Sequence, residues 1–148
     1  MKSPYTAQDI ANYFLYKAQK DHQELLSNLK LQKLVYYAQG LHLAMYGKPI
    51  FKEEIRAWNY GPVVPELYAK YKRCGASGIA PDKTFDPNSI DSKTRGFLDE
   101  VYSAFGQFSA VGLMNLTHDD KCWKDAFPQK VIKHNAMAVE MKKYLTNG

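Results

Sequence analysis

The stretch Leu29–Tyr68, LKLQKLVYYAQGLHLAMYGKPIFKEEIRAWNYGPVVPELY, decides how the chain folds. Leu31, Leu34, Val35, Ala38, Leu41, His42 and Met45 recur at spacings of three and four, which puts them on one face of a helix of about four to five turns. Ser27 or Asn28 is placed to cap it. Gln32, Lys33 and Gln39 fall on its other faces. A glycine inside a helix costs about 1 kcal/mol against alanine, so Gly40 points to a close packing contact. Gly47 suits the left-handed conformation that ends a helix, and Pro49 keeps it from resuming.

Ile55-Arg56-Ala57-Trp58 is too short for a helix and alternates like a strand, with Ile55 and Ala57 on one side and Arg56 and Trp58 on the other. Such a strand needs a partner, and Ile79 with its neighbours is the candidate. Gly61-Pro62 turns the chain, and Pro65 fits the first turn of a further helix, where its missing amide proton is not needed. Leu67, Tyr68 and Tyr71 give that helix its apolar side; Lys70, Lys72 and Arg73 suit its C-terminal dipole, and Gly75 ends it.

The flanking sequence continues the helical pattern. Thr6 with Asp9 forms an aspartate version of the capping box, and Ile10, Ala11, Phe14 and Ala18 supply an apolar stripe that fades by Lys20. Residues 75–89, with Gly78, Pro81 and Pro87, read as a surface loop. Asp91 or Ser92 caps a helix with Phe97, Leu98, Val101, Tyr102 and Phe105 buried, ended by Gly106. Ser109 caps a short helix carrying Val111, Leu113, Met114 and Leu116. A last helix over 128–143 turns Ile132, Ala136, Met137 and Val139 inward, and the tail Thr146–Gly148 should fray. The expectation is a mainly α fold: a compact multi-helix single domain over 1–148, core about 6–144, with a short two-stranded β element.

Composition narrows the function classes. With 45% apolar and 24% charged residues, 148 residues can bury a real core without staples. No apolar run approaches the roughly 18 residues of a membrane span, and residues 1–8 are too polar for a signal peptide. Cys74 and Cys122 are the only cysteines, so a cytoplasmic location with free thiols is expected. The net charge is +5, but the basic residues are scattered and only Arg56, Arg73 and Arg95 are arginine. Nucleic-acid modules cluster such charge on one face. The helix from Pro65 also crowds its basic residues at the C-terminal end, whereas recognition helices read bases near their N-terminus. Direct nucleic-acid binding is therefore not the expected mode.

The densest reactive cluster is Thr117-His118-Asp119-Asp120-Lys121-Cys122-Trp123. His118 and Cys122, four apart, would share a helix face and offer a nucleophile–base pair or half a metal site. Nothing nearby supplies an orienting group or further ligands at a completing spacing, so a cap or turn role for Thr117, His118 and Asp119 is preferred. No cofactor, metal or catalytic residue is expected. His42 reads as a satisfied core or semi-buried histidine. Gly75, Gly78 and Gly96 make no phosphate-binding fingerprint. The 11 tyrosines leave two readings open for Tyr36, Tyr37, Tyr46, Trp58, Tyr60 and Tyr68: core packing, or an exposed aromatic binding surface.

Three pieces carry a family resemblance: LQKLVYYAQG from Leu31 to Gly40, AWNYGPVVP from Ala57 to Pro65 with Tyr68, and Leu116-Thr117-His118 with Trp123. In order and spacing they resemble the Panacea domain, the SocA-like antitoxin family also described as phage-associated proteins and as a domain of unknown function. The chain departs from that pattern at Cys122, where a proline usually precedes the tryptophan. The resemblance implies a small, mostly helical domain that binds and neutralises a cognate toxin protein, with delivery to a ClpXP-type protease on the SocA branch. It implies location on bacterial phages or mobile elements, and no room here for the added DNA-binding domain of some members. Partner contacts are expected at Lys33, Tyr37, Trp58, Tyr60, Val63 and Tyr68, and motif roles that support structure at Gln32, Gly61, Pro62, Thr117, His118 and Trp123. The alternatives are a nucleic-acid-associated regulator and an enzyme using the His118 corner.

Overall fold

In the computed structural model, which describes residues 4–74 and 77–145, the chain is mainly α-helical with one short β-hairpin. Helix α1 (Ala7–His22) leads to α2 (Asn28–Tyr46), the hairpin β1 (Arg56–Trp58) and β2 (Gly61–Val63), and α3 (Pro65–Tyr71). After a 3-10 turn and a loop come α4 (Ser92–Phe105), α5 (Ala110–His118), α6 (Lys121–Ala126) and α7 (His134–Met141). The expected helix stop at Gly75 and the fraying tail Thr146–Gly148 lie outside the described residues.

Local signals set most helix boundaries. The Thr6–Asp9 capping box is formed in both directions, and Ser27, Asp91 and Ser109 each accept a backbone N–H at the start of α2, α4 and α5. Gly47 ends α2 at φ 74°. Helix α1 outruns its expected end by two residues and closes on Gln23 in the left-handed conformation.

Helix α2 is the axis of the molecule. It packs against α1, α3, α4, α5, α7 and β2. The expected apolar face is buried apart from Met45, which is exposed near the helix end. The polar residues on its other faces are buried as well: Gln32, Lys33 and Gln39 are all enclosed, because neighbours surround the helix on every side. Each amide has found specific partners. Gln39 accepts from the Ile50 backbone and donates to the Phe51 carbonyl, holding the chain that crosses from α2 to the hairpin. Gly40 makes the close contact expected of it, since a Cβ there would lie 2.7 Å from Met141 Cγ on α7.

The strand exists, but its partner is not Ile79. β1 pairs antiparallel with β2 through a turn at Asn59 and Tyr60, with Trp58 opposite Gly61, and Ile79 instead buries itself in the loop with its amide on the Leu26 carbonyl. On its other edge β1 is flanked by residues 129–132: Ala57 donates to Lys130 O, while Gln129 and Ile132 donate to Ala57 O and Ile55 O. That segment occupies the first part of the expected last helix, which therefore begins only at His134. Ile132 and Met137 face the core as expected, but Val139 is 66% exposed; the buried residue missed on α7 is Met141.

Candidate functional site: a pocket at the hairpin base

The side chains of the three motif pieces meet around the hairpin. Beneath it lies the second turn of α2. Gln32 donates to Asn28 Oδ1 at 3.0 Å and accepts from the Val64 amide at 2.9 Å, and Asn28 in turn donates to the Tyr68 carbonyl at 3.2 Å. These bonds fix the start of α3 to α2.

Behind the hairpin stands the corner between α5 and α6. His118 Nε2 donates to the Asn59 carbonyl at 2.9 Å, and Trp123 Nε1 to the Trp58 carbonyl at 3.0 Å. The two rings stack with centroids 4.4 Å apart. Both donors therefore hold the hairpin turn by its backbone. Gly61, at φ 108°, lies so close to this support that a Cβ would sit 2.6 Å from Lys33 Cε and 2.8 Å from Thr117 Oγ1.

The result is a pocket of about 300 Å³ bounded by α2, the hairpin and α3. Lys33, Trp58, Tyr60, Val63 and Tyr68 all line it, together with Leu29, Lys72 and the two amide side chains. Trp58 and Tyr68 form one wall, edge to face with centroids 5.4 Å apart. Tyr60 stands 69% exposed on the rim. Tyr37 is elsewhere: it is fully buried and stacks on Phe105 at 3.9 Å, so it presents no surface to a partner. Leu29, Asn28 and Lys72 are lining residues that sequence reasoning missed; Leu29 and Asn28 stand next to the motif but outside its apolar periodicity.

Lys33 is the unusual group. It is 1% exposed, and its one hydrogen bond among the described residues runs from Nζ to the Pro62 carbonyl at 3.3 Å. Among the described residues no carboxylate pairs with it, and burial pushes its ammonium down to about 7.

The reactive pairing considered for His118 and Cys122 does not form. His118 is committed to Asn59 and Trp123, while the Cys122 thiol lies 3.1 Å from Tyr36 Oη, and burial pushes it up to about 12. Cys122 belongs to a network that runs from the core to the surface. Tyr36 donates to Asp120 Oδ2 at 2.7 Å, Lys143 meets Asp120 Oδ1 at 2.7 Å and Glu140 at 3.0 Å, and the Cys122 amide donates to Glu140 Oε1 at 2.9 Å. A proline at this position would have no N–H for that last bond. Asp120 is fully buried, and desolvation raises its carboxyl despite Lys143 and Tyr36. His42, as read from sequence, is a buried histidine bonded through Nδ1 to the Lys48 carbonyl at 2.7 Å. Among the described residues no three His, Cys, Asp or Glu side chains converge as a metal site, and no helix is long and apolar enough to cross a membrane.

The match to known families covers this architecture. Residues 31–124, more than half the chain, fit the family model described as antitoxin SocA-like, Panacea domain. The chain belongs to the SocA-like Panacea family. The matched span runs from the first turn of α2 into α6, and so contains every motif residue that builds the pocket. Antitoxin SocA of Caulobacter vibrioides (strain NA1000 / CB15N) is 39% identical over 73 residues, which is 49% of this chain and 38% of that protein. The match thus spans well under half the length of the curated relative. No solved structure matches the chain. Within the Panacea framework, the hairpin, its α5–α6 support and the α2 amides are one assembly, with the pocket as its outward face.

Proposed function

We propose that this chain is a non-enzymatic protein-binding module, a single Panacea domain that neutralises the toxin of a bacterial or prophage toxin–antitoxin pair. The observation that carries the reading is the convergence of the family's motif residues on one aromatic-lined pocket, with Trp58, Tyr60, Val63 and Tyr68 on its walls and rim. Aromatic anchors of this kind supply most of the binding energy at protein interfaces. The corner residues that offered catalysis are instead bonded to backbone or buried.

The test is co-expression with the product of the neighbouring gene. Growth rescue and co-purification are expected, and Tyr60→Ala should weaken both while leaving the fold intact, because its side chain is largely exposed. A neighbour that is neither bound nor neutralised sinks the antitoxin reading for this chain. The same cultures separate two routes of neutralisation: toxin levels that fall only when a ClpXP-type protease is present favour delivery to that protease, and steady levels favour direct inhibition.

A further inference from the structure

The pocket is electrostatically one-sided. Among the described residues its charged lining groups are Lys33 at the floor and Lys72, exposed at the rim, with no Asp or Glu. Its two amide side chains are already engaged: Asn28 and Gln32 bond to each other and to the Tyr68 and Val64 backbones. Lys33 differs. An ammonium carries three donors, and here a single bond of 3.3 Å to the Pro62 carbonyl is made among the described residues. A cation removed from water without a counter-charge is costly, and native proteins pair such groups.

We propose that the pocket receives an acidic side chain of the partner protein, its carboxylate on the Lys33 ammonium and a neighbouring apolar side chain against Trp58, Val63 and Tyr68. The inference rests on the protein-binding reading above and names the chemistry of the partner's anchor. Charge complementarity selects an anion over a neutral group, and the apolar walls select one with hydrocarbon or an aromatic ring beside it. Lys33 is held in place by the same hairpin that forms the walls, so the charge and the apolar surface are presented together. A lone ammonium acts as a point charge, suited to a single side-chain carboxylate; it is not the planar fork that recognises a bidentate anion.

The experiment uses 4-phenylbutyrate as a probe of this chemistry and its uncharged amide, 4-phenylbutanamide, as comparator. Both are titrated into the full chain while the Lys33 side-chain signals are followed by NMR in lysine-labelled protein. The expected result is saturable binding of the carboxylate, at least about tenfold tighter than the amide, as a charge-assisted hydrogen bond requires. The midpoint of Lys33 titration should move up on binding. Lys33→Met should remove the preference for the carboxylate while retaining weak binding of both compounds. Equal affinity for the two compounds, no binding of the carboxylate, or an unmoved Lys33 overturns the proposal. The comparison of the two compounds on the unaltered chain stands even if Lys33→Met does not fold. Because this arm needs no toxin, its failure leaves the antitoxin reading intact. Failed rescue beside sound carboxylate binding would remove the antitoxin reading alone.

Discussion

Lys33 makes a measurable demand on the fold. With its ammonium pushed down to about 7 from an ordinary 10.5, it is charged in both the folded and unfolded chain at lower pH, and there the burial penalty is fully present. Between those values the unfolded chain holds a proton that the folded one has released, so stability rises with pH, by at most about 1.4 kcal/mol per unit. Denaturant melts from pH 6 to 10 should show this slope in the wild type, and Lys33→Met, which should be the more stable protein at pH 6, should lack it. Identical slopes would mean that Lys33 is solvated. Two glycines give a paired test at the same scale. Gly61→Ala meets both a positive φ and the Lys33 and Thr117 side chains, and should destabilise by about 2 kcal/mol or more. Gly96→Ala, exposed within α4 with nothing near its added methyl, should stabilise by about 0.5–1 kcal/mol. Urea midpoints for the pair check both signs.

At the scale of elements, the α5–α6 corner works as a bracket for the hairpin. Trp123→Phe keeps an aromatic ring, smaller than the indole, but removes the N–H that binds the Trp58 carbonyl. It should cost about 1 kcal/mol and speed amide exchange at Ala57 and its hairpin neighbours, with α1 and α4 unaffected. Uniformly faster exchange would mean that the indole supports the whole core instead. Sequence patterns exposed this level unevenly. The stripes of α1, α2 and α4 were legible because each alternates apolar and polar at helical spacing. The hairpin partner was not. The positive φ falls on Gly61, just after the turn at Asn59 and Tyr60, so the usual Asn-Gly signal is missing. The segment 129–132 was hidden for a different reason: it is extended because β1 offers it backbone partners more than 70 residues earlier in the chain, as in the Arg56 and Val131 bridge. Val139 misled because a periodic apolar residue on a short terminal helix need not face inward.

For the whole molecule, the position of α2 explains both what was read correctly and what was not. A helix surrounded on every side buries its polar residues too, and spacings of three and four, which mark one apolar face, do not show that Gln32, Lys33 and Gln39 are enclosed. The pocket-lining residues Trp58, Tyr60, Val63 and Tyr68 were legible only because motif resemblance and surplus aromatics coincide there. Tyr37, read by the same logic, proved to be core. Leu34→Ala, at the centre of α2 and fully buried, should cost about 2–5 kcal/mol in a single cooperative urea transition. A loss below about 1 kcal/mol would show that α2 is not the common support. The short hairpin has one more consequence. β1 is flanked on both sides, and β2 is three buried residues centred on Pro62, which has no amide proton to offer a ladder. An incoming peptide therefore has little edge on which to extend the sheet. Capture of a partner by strand addition is disfavoured, and the small β element is shielded from the strand-to-strand association through which exposed edges aggregate.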